Sequence, residues 1–167
     1  MKNARKVFLE TLTELAEKDD KILLIVGDVG FSYMEDFKTR FPRQFLNVGV
    51  TEQTMMCMAS AMAREGFKPY VYTMVNFIAF RPYEQVRNAI CMINANVKLM
   101  SVVGWTNYKF LGYSHNINQS AEGTWEDEQV LKHLPNMKFY ITENVEQIRD
   151  YILIEYSRRG PAYIRLG

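Results

Sequence analysis

Three short stretches of the chain carry residue types that could do chemistry. In the first, Glu52 follows an apolar, strand-like run, Phe45 to Val50, and opens a segment, Thr51 to Glu65. There Met55, Met56, Cys57, Met58, Ala59, Ala61, Met62 and Ala63 leave almost no polar face. A carboxylate in a first helical turn complements the helix dipole, a common role that needs no function. One that leads into an apolar helix is also desolvated, which raises its pKa and suits it to proton transfer. In the second stretch, Phe77, Phe80, Arg81 and Tyr83 come after a strand-like run and open a helix-like one. The rings and the cation either pack as core or gather at the carboxyl edge of a sheet, where open α/β folds bind ligands. In the third, His115 stands in a polar loop behind Gly112, whose backbone freedom allows close approach to a ligand, although a loop histidine taken alone is more often structural or solvated. His133, beside Leu134 and Pro135, is accounted for by contact with a helix C-terminus and receives no role.

Two motif classes are excluded. Gly27-Asp28-Val29-Gly30 misses the GxGxxG spacing of a dinucleotide-binding turn. Cys57 and Cys91 lie in apolar, helix-like segments away from any CxxC or Cys/His ligand spacing, so both are expected to be buried free thiols, with no metal and no disulfide.

The elements that must position these residues follow from periodicity. Ile22 to Val26, Pro69 to Thr73, Val97 to Val103, Lys138 to Thr142 and Ala162 to Leu166 read as strands. Ala4 to Lys18, Thr51 to Glu65 with Thr51 as its cap, Phe80 to Ile93, Trp125 to Leu134 and Asn144 to Arg158 read as helices, and Met1 to Lys6 as a start that frays. This alternation predicts a three-layer α/β/α domain around a mostly parallel sheet. The helix from Thr51 should be buried all round, in the core or against another subunit. Trp105 to Gly123, long and rich in Tyr108, Gly112, Tyr113 and His115, reads as a structured binding loop.

At 167 residues with 48% hydrophobic and 13% aromatic content, the chain can bury one sizeable core, and residues 1–167 are expected to form one domain. The formal charge of +1, from 20 basic and 19 acidic residues, provides no field for nucleic acid or an anionic membrane. No stretch stays apolar long enough to span a bilayer and the first residues lack a signal-peptide core, so a cytoplasmic location is expected.

Taken in order, several segments resemble the pyrimidine-binding domain shared by transketolase and deoxyxylulose phosphate synthase, and more distantly by β subunits of 2-oxo acid dehydrogenases. They are Gly27-Asp28, Phe45 to Gln53, Gly66-Phe67-Lys68-Pro69-Tyr70, Phe77 to Asn88, Ser114-His115, Glu126-Asp127, Leu134-Pro135-Asn136-Met137 and Gly160 to Gly167. The resemblance covers nearly the whole chain and implies the thiamine diphosphate-binding (pyrimidine domain) fold. It implies that the Glu52 carboxyl hydrogen-bonds the ring nitrogen of the aminopyrimidine and favours the imino form, which takes the proton from the thiazolium carbon. It further implies that Phe77 stacks on the pyrimidine, that Phe80 forms another wall, and that Asp28 joins the cofactor site. Met74, where a phenylalanine is usual, would loosen the pocket. His115 would bind sugar hydroxyls or relay protons, and Arg81 would hold an anionic substrate group.

The family's GDG-type motif, which carries the Mg²⁺ ligands, belongs to a diphosphate-binding domain that these residues lack. The resemblance therefore implies a diphosphate-binding partner of the transketolase N-terminal type, in a homodimer or heterotetramer, and transfer of a two-carbon ketol unit between sugars. A 2-oxo acid decarboxylating synthase or dehydrogenase subunit is the alternative in the same cofactor class, and a non-catalytic assembly subunit the alternative outside it. Asn116 to Thr124 looks like an insertion between the histidine and Glu126-Asp127.

Overall fold

Six short strands form one sheet in a computed structural model that describes residues 3–105, 108–141 and 144–167. They are β1 (Ile22–Val26), β2 (Phe45–Asn47), β3 (Lys68–Met74), β4 (Lys98–Val102), β5 (Lys138–Tyr140) and β6 (Ala162–Leu166), in the order β2-β1-β3-β4-β6-β5. All neighbouring pairs are parallel, with Leu24 opposite both Phe45 and Tyr70, and Met100 opposite both Tyr72 and Ile164. A parallel strand covered on both faces should read as a continuous apolar run, and Ile-Leu-Leu-Ile-Val of β1 is buried at every position.

Alternation along the strands sorts the core into two layers. Ile22, Leu24 and Val26 face Phe8 and Leu12 of α1 (Ala4–Ala16), Phe37 of α2 (Glu35–Arg40) and Ile148 and Ile152 of α7 (Glu146–Ser157). Leu23 and Ile25 face Met55, Met56 and Ala59 of α3 (Glu52–Arg64), Ile78 of α4 (Val75–Ala79) and Leu131 of α6 (Glu126–Leu131). The expected three-layer α/β/α arrangement is the one observed.

Several details differ from the expectations. The segment Phe80 to Ile93 is not one helix. α4 starts earlier, at Val75, and stops at Ala79. Pro82 then interrupts the ladder because it has no N–H, and the chain resumes as α5 (Tyr83–Gln85) and a π-helical turn, Val86–Cys91. Helix α3 is not buried all round: Glu52, Met55, Met56, Ala59 and Ser60 form its buried stripe, whereas Cys57 projects from the opposite side and is exposed. Cys91 is buried as expected, and burial pushes its thiol up to about 12. The hydroxyl of Thr51 donates to Val48 O at 2.8 Å instead of capping α3. The short α2 was not foreseen, because six residues are too few to display a helical period. Thr142, read as the end of a strand, and the first two residues of the segment read as fraying lie outside the described residues. Among the described residues no helix is long and apolar enough to cross a membrane.

Two buried polar networks tie the sheet to its covering helices. Lys98 of β4 donates to Glu155 of α7 at 2.9 Å and to the carbonyls of Arg158 and Gly160 at 3.1 and 2.7 Å. Tyr140 and Arg158 add donors to the same carboxylate at 2.8 and 2.7 Å. Burial pushes the Glu155 carboxyl up, but the hydrogen bonds from Arg158, Lys98 and Tyr140 outweigh it and the net direction is down. Asp127 of α6 takes Arg165 of β6 at 2.9 Å and the hydroxyl of Tyr163, and there burial prevails and its carboxyl is raised.

Candidate functional site

In this strand order the chain goes from β1 to β2 on one side and then places β3 on the other, so a crevice opens beyond the carboxyl ends of β1 and β3. Such switch points are where open α/β sheets bind ligands. The loops leaving β1, β2, β3 and β4 bring Asp28, Glu52, Phe77 and His115 to this edge.

Glu52 is the first residue of α3 and is 5% exposed. The turn before it is held by Asn47, whose side-chain oxygen accepts from the backbone N–H groups of Asp28 and Gly49 at 3.1 and 3.0 Å. Gly49, at φ +70°, makes the left-handed bend that a side chain would resist. Glu52 is thus locked to the end of β1. Its Oε1 accepts from Arg81 Nη1 at 3.0 Å, and the Arg81 guanidinium lies over the Phe77 ring, 3.7 Å from its centroid.

Phe77 is 7% exposed, and its ring meets that of His115 in a T-shaped contact at 5.0 Å between centroids, with the planes at 71°. Tyr108 also packs against the imidazole, with centroids 5.7 Å apart. Ser114 donates its hydroxyl to Leu111 O at 2.8 Å, so its oxygen accepts from His115 Nδ1 at 2.7 Å. In the neutral imidazole this tautomer leaves Nε2 as a proton acceptor. Burial, and then the nearby Arg81 charge, lower the His115 pKa and favour that neutral form.

Of the residues singled out in the sequence, Glu52, Arg81, Phe77 and His115 form one chain of contacts. Met74 is buried at the end of β3 in the same apolar cluster as Phe77. Asp28 stands at the same edge with φ 54° and is exposed, its carboxylate facing Asn47 Nδ2 at 3.4 Å. Phe80 is 38% exposed and makes none of these ring contacts, because the chain leaves α4 before it. Beside Glu52 a cleft of about 430 Å³ is lined by Val50, Thr51, Gln53, Thr54 and Arg81. A hollow of about 590 Å³ at the opposite edge, lined by Arg64, Lys68, Arg158 and Arg159 among others, contains no carboxylate or imidazole.

Three positions that matter here escaped the sequence reading. Asn47 has the role just described. Asn76 donates to the carbonyls of Tyr113 and Asn116 at 2.8 and 3.1 Å and so fastens the His115 loop to α4. Gly104 lets the loop close: a Cβ there would stand 2.6 Å from His115 O and 2.7 Å from Asn116 Oδ1. The supposed insertion, Asn116 to Thr124, is folded back on itself by a bridge between Gln119 and Trp125 and by Asn118 N–H donating to Glu126 at 2.8 Å.

Gly104→Ala should therefore push the loop outward and part His115 from Phe77, destabilising the fold by about 1–3 kcal/mol. Loss of the ring-current shift on the His115 imidazole protons, recorded by NMR, is the direct check. His115 imidazole signals that stay at their wild-type positions in the variant would refute the role of Gly104.

A family model described as the transketolase pyrimidine-binding domain matches residues 1–167. One of the subunits of the apulose-4-phosphate transketolase of Phocaeicola vulgatus is 30% identical over 164 residues, 98% of this chain and 50% of that protein. 1-Deoxy-D-xylulose-5-phosphate synthase of Bacillus cereus is 33% identical over 167 residues, 95% of this chain and 24% of that protein. A split-gene transketolase solved as an inactive β4 tetramer superposes with a TM-score of 0.84 at 31% identity, over 99% of this chain and 51% of that one. The chain thus spans about half the length of its subunit-type relatives and about a quarter of the synthase.

Proposed function

The chain belongs to the transketolase pyrimidine-binding domain family, and on that premise we propose that it supplies the pyrimidine half of a thiamine diphosphate site in an enzyme that moves a two-carbon ketol unit between sugars. The observation that carries this reading is the contact of Glu52, Arg81 and Phe77. A buried carboxylate takes an N–H from a flat nitrogenous group that lies on a phenyl face. An aminopyrimidine whose ring nitrogen holds the proton it shares with Glu52 is another flat N–H donor, so the buried carboxylate and the aromatic floor fit it.

Bound there, the cofactor would supply the carbon nucleophile and the electron sink that breaking a bond beside a carbonyl requires. Glu52 would hold a proton at the pyrimidine ring nitrogen, and Phe77 would fix the ring plane. His115, with Nε2 free and its neutral form favoured, is suited to accept a proton from a sugar hydroxyl. We assign Asp28 and Met74 to the border of the ring. We assign the diphosphate and its Mg²⁺ to a diphosphate-binding chain of the transketolase N-terminal type. Two copies of each chain would complete two sites in a heterotetramer.

Given an aldose acceptor, the complex reconstituted with such a subunit should convert a ketose phosphate donor to the aldose shortened by two carbons and the acceptor to the ketose lengthened by two, and release no CO₂ from pyruvate. The 33% identity to the deoxyxylulose synthase supports a second reading, a 2-oxo acid decarboxylating synthase. Release of CO₂ from pyruvate without turnover of ketose would establish that reading in place of the first.

A further inference from the structure

Arg81 is in the wrong place to wait for a substrate. Its guanidinium is planar, carries N–H donors at its rim, and makes the two contacts assigned above to the aminopyrimidine: a hydrogen bond to Glu52 Oε1 at 3.0 Å and a face-on approach to Phe77 at 3.7 Å. We propose that Arg81 is a built-in stand-in for the pyrimidine ring, keeping Glu52 paired and Phe77 covered until the ring displaces it. This rests on the pyrimidine-binding reading of the site.

The asymmetry of the pair says which member moves. The Glu52 side chain is 6% exposed and sits on the first turn of α3, whereas that of Arg81 is 47% exposed. The Arg81 backbone is held, its N–H donating to Asn76 O at 3.2 Å just before Pro82, so displacement needs only a change of side-chain rotamer. A carboxylate this buried is costly to leave without a partner, and a resident guanidinium meets that need when no ring is bound. The exchange also ties two events together. Arriving pyrimidine sets free a cation beside His115, whose Nδ1 is anchored to Ser114. The guanidinium is then available to an anionic group of the substrate only after the ring is in place.

The test uses this chain and the fragment 4-amino-5-hydroxymethyl-2-methylpyrimidine. In NMR spectra of the arginine Nε–Hε groups, the Arg81 signal should be displaced by the Phe77 ring current and identifiable by its absence in Arg81→Ala. Added fragment should return it to the position of a free arginine. Removing a half-exposed ion pair and a cation–π contact should let Arg81→Ala bind the fragment roughly tenfold more tightly than the wild type. Arg81→Lys, which keeps the charge and loses the plane, should fall between the two. Fragment binding that is equal or weaker in Arg81→Ala, with the wild-type Arg81 signal unmoved, would overturn the stand-in and leave the pyrimidine reading intact. Binding by none of the three proteins would overturn both.

Discussion

Glu52→Gln is expected to lower kcat of the reconstituted enzyme by about 10²- to 10⁴-fold, the range that positioned proton transfer contributes. The substitution changes one atom of a residue that is 5% exposed, so packing at the start of α3 is conserved. The amide can still accept from Arg81 Nη1, and the half-exposed guanidinium keeps access to water. What the amide cannot do is take up and return a proton at a ring nitrogen. The loss should therefore fall on kcat, while the thermal midpoint moves by no more than the ~1 kcal/mol of a partly exposed ion pair. Turnover and a circular-dichroism melt on the same preparation separate the two effects. Full activity in Glu52→Gln would remove the carboxylate from the mechanism and establish the third reading, a subunit that keeps the fold for assembly alone.

The second large effect lies away from the site. Glu155→Ala should cost about 3–5 kcal/mol, because it leaves the ammonium of Lys98, 3% exposed, with only carbonyls around it. For a chain of this size that corresponds to a fall in Tm of roughly 6–20 °C. The double variant Lys98→Met, Glu155→Leu, which removes both charges and preserves volume, should recover most of the loss. Burial already pulls the Lys98 ammonium down to about 8. Between that value and the ordinary lysine range the unfolded chain binds the extra proton, so this group makes stability rise with pH. With Glu155 gone the rise should begin at lower pH. Urea melts of the single and double variants across that range provide the check. A double variant as unstable as the single would show that Glu155 acts through Arg158 and Tyr140 and not through Lys98.

Much of this was legible before any coordinates. Ile22 to Val26, apolar throughout, and Ala162 to Leu166, apolar but for Arg165, have the continuous burial of strands covered on both faces by helices. The position of Glu52, after a strand and before an apolar helix, was equally plain. Its significance was not, since a carboxylate in a first turn has an ordinary explanation. The ordered run of matching segments is what the proposed role of Glu52 rests on. Helix boundaries were the weakest point. The break at Pro82 had a local signal, since a proline inside a helical pattern ends or kinks the helix, whereas the π-helical turn after it had none.

Residue types and their order along the chain determined the sheet, its helical layers, the family and the carboxylate that faces the crevice, because each depends on burial patterns and motifs local to one element. The pairing of Glu52 with Arg81 spans 29 residues, the seating of His115 against Phe77 spans 38, and the space at Gly104 is set by a loop eleven positions away. Contacts of that kind exist only once several strands end at a common edge. Tertiary structure alone thus decided that the Arg81 guanidinium rests on the Phe77 ring and that the imidazole stands beside it.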